Sequence, residues 1–147
     1  MKRRALFIEI VIFLFVLLFL YAAGSKLIQY KEFVGQMGKS FLVSAYAPIL
    51  AWLVPVIEIA ISILLLIPRF RLYGLYGSFF IMFLFTLYIL VILNFAPEVP
   101  CSCGGILSNM GWKPHLLFNV VFTILAVISI FIHNKEFVSF RNNPSVT

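Results

Sequence analysis

The sequence predicts an all-α integral membrane four-helix bundle, both termini cytoplasmic, with an interfacial amphipathic helix after the first span. Three observations predict it. First, hydrophobic residues fill 63% of 147 positions and mean hydropathy is +1.11. A soluble domain of this length cannot bury that much apolar surface, so lipid must cover the remainder. Second, four apolar stretches reach the roughly 20 residues that a helix needs to cross about 30 Å of hydrocarbon. Third, the basic residues behind the formal charge of +6 mostly flank those stretches, where they set orientation. That placement argues against a nucleic-acid surface. The whole chain, 1–147, reads as one transmembrane domain without a linker, repeat or low-complexity tract.

The first span covers about Ala5 to Ala23, the second about Ala47 to Ile67, the third about Leu72 to Phe95 and the fourth about His115 to Ile132. Lys2, Arg3, Arg4, Arg69, Arg71, Lys135 and Arg141 fall on one side of this arrangement, and Lys26, Lys31, Lys39 and Lys113 on the other. The excess on the first side, above all the short turn Pro68-Arg69-Phe70-Arg71, puts both termini in the cytoplasm by the positive-inside rule. The basic start, apolar run and Ala22-Ala23-Gly24-Ser25 of the first span also suit a cleaved signal peptide. The run is long for one, and an even-numbered bundle needs it, so it is read as a retained helix.

Between the first two spans, Ser25 to Tyr30 continues helically from span one. Phe33, Met37, Phe41 and Leu42 then recur with the spacing of an amphipathic helix lying at the interface. Tyr21, Tyr30, Tyr46 and Trp52 suit an outer aromatic belt. Span two carries Ala51, Pro55, Glu58 and Ser62 on one helical face. Span four carries His115, Asn119, Thr123, Ala126 and Ser129 on another. In lipid such stripes turn inward, because polar groups in hydrocarbon are costly and small side chains let helices approach.

Glu58 stands apart from the packing residues. A carboxylate near mid-span is expensive and marks a functional hypothesis. Pro55, one turn earlier, frees a backbone carbonyl near Ala51. Glu58 is therefore a candidate to bind a quinone head group, relay a proton or receive a partner's cation. The plainer reading is a carboxyl that locks the bundle through Thr86 or Thr123. Glu9, one turn inside the boundary, is expected to pair with Arg3 or Arg4.

The third connection holds the only two cysteines, in Pro100-Cys101-Ser102-Cys103-Gly104-Gly105. Three readings compete for them. A pair at i and i+2 closes a small, strained disulfide, and strained disulfides are the labile, exchange-competent kind. The bond is also a candidate staple of its loop, though so short a loop gains little closure entropy. Cys101, Cys103 and His115 are a third-ranked metal set, one ligand short of a usual zinc site. His115, after Pro114, suits an acid–base group tuning a thiol, or a helix cap. Asn119, one turn below, is placed to hydrogen-bond His115 or a ligand.

Several of these residues resemble a known family. Gly24-Ser25-Lys26-Leu27 with Phe33, Pro55-x-x-Glu58, Gly74-Leu75 and Phe85-Thr86-x-Tyr88 resemble the DoxX-like superfamily of small four-helix membrane proteins. The Cys101-x-Cys103-Gly104-Gly105 loop followed by Trp112, His115 and Asn119 resembles its MauE branch, the methylamine-utilisation proteins. The resemblance covers about Ala22 to Ile130. It implies a multi-pass protein of the bacterial inner membrane with a redox-associated role. MauE-type proteins are linked to maturation of a disulfide-rich periplasmic methylamine dehydrogenase subunit, and DoxX-type relatives to quinone-coupled sulfur oxidation.

Residues and resemblance together lead to one expectation. The chain performs thiol–disulfide exchange at the periplasmic face with a thioredoxin-like or disulfide-containing partner. Cys101, Cys103 and His115 do the chemistry, while Glu58 and Asn119 shape a polar interior that suits a quinone. The alternative is a non-catalytic membrane subunit or assembly factor whose cysteines staple a loop.

Overall fold

In the structure, a computed structural model, residues 2–40, 42–95 and 111–142 are described. They form five helices: α1 (Lys2–Ile28), α2 (Tyr30–Lys39), α3 (Ala47–Leu66), α4 (Arg71–Phe95) and α5 (Trp112–Asn142). Single 3₁₀ turns, Ser44–Tyr46 and Pro68–Phe70, lead into α3 and α4. All except α2 are long and apolar enough to cross a membrane. The protein is therefore a multi-pass membrane protein in contact with the bilayer.

Neighbour follows neighbour around the bundle: α1 packs on α3, α3 on α4, α4 on α5, and α5 closes back on α1. The short turn between α3 and α4 forces them antiparallel, so Pro68–Phe70 marks one end of the bundle and α2 the other. A side-chain pair between Glu9 and Arg71 joins the starts of α1 and α4 at the arginine end. At the α2 end, Tyr88 of α4 donates to the Ser40 hydroxyl at 3.0 Å, tying α4 to the end of α2.

The core shows why the apolar runs fold this way. Phe15 and Phe19 of α1, Leu65 of α3, and Leu75 and Ile89 of α4 are fully enclosed, and Ala126 lets α5 close in. Outward residues such as Phe13, Ile63, Phe80 and Leu117 are equally apolar. Helices apolar all round are what lipid requires. Most hydroxyls of the stripes are satisfied within their own helices, Ser129 being buried without a partner among the described residues. Ser62 bonds the Glu58 carbonyl, Ser78 the Gly74 carbonyl and Thr123 the Asn119 carbonyl, at 2.7–2.9 Å.

Two elements differ from expectation. Helix α1 begins and ends beyond the predicted span and carries Lys26 into the bundle. Glu9 pairs with Arg71 rather than Arg3 or Arg4, because α4, antiparallel to α3 and so parallel to α1, starts at the same end of the bundle as α1. A helix, α2, occupies the stretch expected to be amphipathic, with Phe33 and Met37 buried against Ala47 and Ala51. Leu42 lies beyond its end and is exposed. Phe41 lies outside the described residues.

Candidate functional site

In a helix the Cα–Cβ bonds lean toward the N-terminus. Lys26, in the last turn of α1, therefore points back down α1 into the bundle. Glu58, on the antiparallel α3, leans the opposite way, toward the α2 end. They meet: Lys26 Nζ lies 2.7 Å from Glu58 Oε1. The same ammonium lies 3.5 Å from the Ala22 carbonyl. It also lies 6.0 Å from the ring centroid of Phe33 on α2 and 5.9 Å from that of Phe85 on α4. One cation thus bridges four helices.

Both partners are sealed from solvent, Lys26 being 7% exposed and Glu58 0%. Either charge alone would be costly at this depth. Their contact, the carbonyl and the two aromatic faces compensate it. The compensation is incomplete, since Glu58 Oε2 has no hydrogen-bond partner among the described residues. A carboxylate offers acceptor sites on both oxygens, so the interior keeps an open acceptor beside a cation.

The neighbouring spans add polar groups of their own. Thr86, next to Phe85, is buried and donates to the Met82 carbonyl at 2.8 Å. Asn119 is buried on α5 and donates from Nδ2 to the His115 carbonyl at 3.0 Å. Each spanning helix therefore gives this half of the bundle a buried polar side chain: Lys26, Glu58, Thr86 and Asn119. His115 is half-buried in the first turn of α5. Its ring stacks on Trp112, centroids 6.4 Å apart, and its Nδ1 has no partner among the described residues.

The sequence puts Glu58, Asn119 and His115 on inward stripes, and they lie buried or half-buried: His115 in the first turn of α5 at the α2 end, Asn119 one turn deeper, and Glu58 near the middle of α3, where Lys26 reaches it from the α2 end. Cys101 and Cys103 lie outside the described residues. The anchors of their connection do not: Phe95 ends α4 and Trp112 starts α5, both at the α2 end. Thr86 and Thr123, the expected partners of Glu58, bond their own helices instead, and the carboxylate takes Lys26. By sequence alone Lys26 reads as a boundary charge. A signal for it existed, because Phe15, Phe19, Ala23 and Lys26 continue one buried stripe at helical spacing.

Residues 4–132, from the foot of α1 to the body of α5, match the family model described as methylamine utilisation protein MauE. The chain belongs to the MauE family. No curated protein and no solved structure matches it. The matched region takes in all four spans, the buried pair and the cysteine connection of this MauE-family chain. The wider DoxX likeness rests on the short motifs given above.

Proposed function

We propose that this MauE-family protein carries out thiol–disulfide exchange at the outer face of a bacterial inner membrane. Cys101 and Cys103 are the exchanging pair. A thiolate of a periplasmic dithiol partner attacks their disulfide to form a mixed disulfide. The partner's second thiolate then resolves it, leaving the partner oxidised and the pair reduced. The reverse direction reduces the partner. His115 moves the thiol proton. Glu58 and Asn119 shape the polar interior, where a quinone would take up the electron pair and two protons and so reset the cysteines.

One observation carries this reading. The connection that holds both cysteines departs from Phe95 and returns at Trp112, at the end of the bundle that holds Asn119 and the open Nδ1 of His115 and from which Lys26 reaches down to the buried Glu58. The arginine end shows no comparable gathering of buried charge among the described residues. The greater number of basic residues at that end supports its cytoplasmic placement, leaving the cysteines in an oxidising compartment.

Thiol trapping in whole cells tests the proposal. Cys101 and Cys103 are expected to cycle between trapped and protected forms. The double replacement Cys101→Ser/Cys103→Ser is expected to shift the redox state of the partner's thiols. A pair that never changes oxidation state, with partner thiols indifferent to its removal, would overturn it.

A further inference from the structure

The packing of α2 differs from that of every other helix. Its buried residues, Phe33 and Met37, join Ala47 and Ala51 in a small cluster of their own, apart from the main core. Two of its ten residues are Gly35 and Gly38, which weaken a helix. Its link to α1 is an elbow at Gln29, φ −100° and ψ 36°. The backbone ladder nonetheless passes through it, from Gln29 N to the Ser25 carbonyl and from Phe33 N to the Gln29 carbonyl. An element with few buried apolar residues and poor intrinsic helicity belongs to the low end of local stability.

What holds this weak element down is specific. The Tyr88–Ser40 hydrogen bond pins its far end. Tyr30 at its near end meets Trp52, ring centroids 5.7 Å apart. Between them the ring of Phe33 faces the Lys26 ammonium, which is itself held on Glu58. The unpartnered Glu58 Oε2 belongs to the same charge cluster.

We infer that α2 is a hinged cap, fastened through Phe33 to the Lys26–Glu58 pair. It swings at Gln29 to open the polar layer and the free Glu58 oxygen to the mouth of the bundle. Lys26 is the positioning residue, holding the cap through the Phe33 ring. When α2 lifts, a water or a small hydrogen-bond donor reaches an acceptor that the closed state seals. This gating is independent of the cysteine chemistry and operates in a chain without cysteines.

Segment-resolved hydrogen exchange in lipid nanodiscs tests it on the full chain carrying Cys101→Ser/Cys103→Ser. In that chain, amides 30–39 are expected to exchange by a local opening while the cores of α3 and α4 stay protected. Exchange of α2 only together with the spans would overturn the cap. Adding Lys26→Met/Glu58→Leu, an apolar replacement that strands no charge, should speed α2 exchange about tenfold, as loss of a desolvated cation–π contact predicts. The spans should be unchanged. Unaltered α2 exchange would show that the pair does not fasten the cap. Equal acceleration of α2 and the spans would make the pair a general lock and overturn the inference.

Discussion

Among the described residues two ion pairs bridge the spans, one at the arginine end and one deeper toward the α2 end, and their contacts look alike. Arg71 Nη1 meets Glu9 Oε1 at 2.5 Å, and Lys26 Nζ meets Glu58 Oε1 at 2.7 Å. The surroundings differ. The Arg71 and Glu9 side chains are 25% and 53% exposed, those of Lys26 and Glu58 only 9% and 1%. Where water or head groups reach, attraction between charges is screened and each partner is comfortable alone. In the sealed interior each charge depends on the other. A distance alone therefore says little about what a pair does, whereas its burial says whether either member can be spared.

Stranding one buried charge should have the largest effect. Glu58→Leu leaves the Lys26 ammonium without its carboxylate and should destabilise the bundle by about 3–5 kcal/mol, the usual loss when one member of a buried pair is removed. Reversible unfolding in mixed micelles, by titration with a denaturing detergent, measures it. The double variant Lys26→Met/Glu58→Leu should recover most of that loss, because no charge remains to be stranded. A double variant as unstable as the single one would mean that shape, not charge, governs the site.

That pair also shows where reading the sequence reached its end. The four spans were legible because lipid leaves only one solution to a 20-residue apolar run, and the α2 helix because Phe33 and Met37 repeat with helical spacing. Glu58 was legible because a lone carboxylate at mid-span has no innocent explanation. Its partner was not. Lys26 sits at a helix end, where lysines ordinarily reach outward to head groups, and its composition-level meaning is orientation. Only the opposed lean of side chains on antiparallel α1 and α3 turns it inward. Glu9 was paired with the arginines nearest in sequence for a similar reason. Its true partner, 62 positions away, depends on how α4 returns alongside α1.

If the arginine end does not depend on its ion pair, something else must hold it, and close packing is the candidate. Gly74 of α4 sits against α3 so tightly that an added Cβ would lie 2.9 Å from the Leu65 backbone nitrogen and from its Cγ and Cδ2. Gly74→Ala must push the helices apart and should cost about 1–3 kcal/mol. Gly24→Ala, where nothing stands within 4 Å, should be close to neutral in the same assay. Equal effects at the two glycines would remove packing as the explanation.

At the α2 end a smaller test probes the cap rather than the core. Tyr88→Phe removes the donor to Ser40 and should cost about 1 kcal/mol. The loss should appear as faster exchange confined to the last turn of α2. Spread over α4 as well, it would show Tyr88 supporting the span rather than the cap.

The weakest expected effect is the most informative about the comparison itself. Arg71→Gln and Glu9→Gln each remove one charge of the exposed pair and keep a hydrogen-bonding end; Glu9→Gln also keeps the side chain's length, while Arg71→Gln shortens it. Each should cost about 0.2–1 kcal/mol. Because the pair is screened, raising salt toward 1 M, where charges farther than about 3 Å apart no longer feel each other strongly, should shrink the difference from the unaltered chain. The cost of Glu58→Leu should not change with salt, because ions do not enter the sealed interior. If Arg71→Gln proved as damaging as Glu58→Leu and as insensitive to salt, exposure in the protein alone would be the wrong measure. Lipid would then seal the arginine end as thoroughly as protein seals the other, and the two pairs would be one kind of bridge.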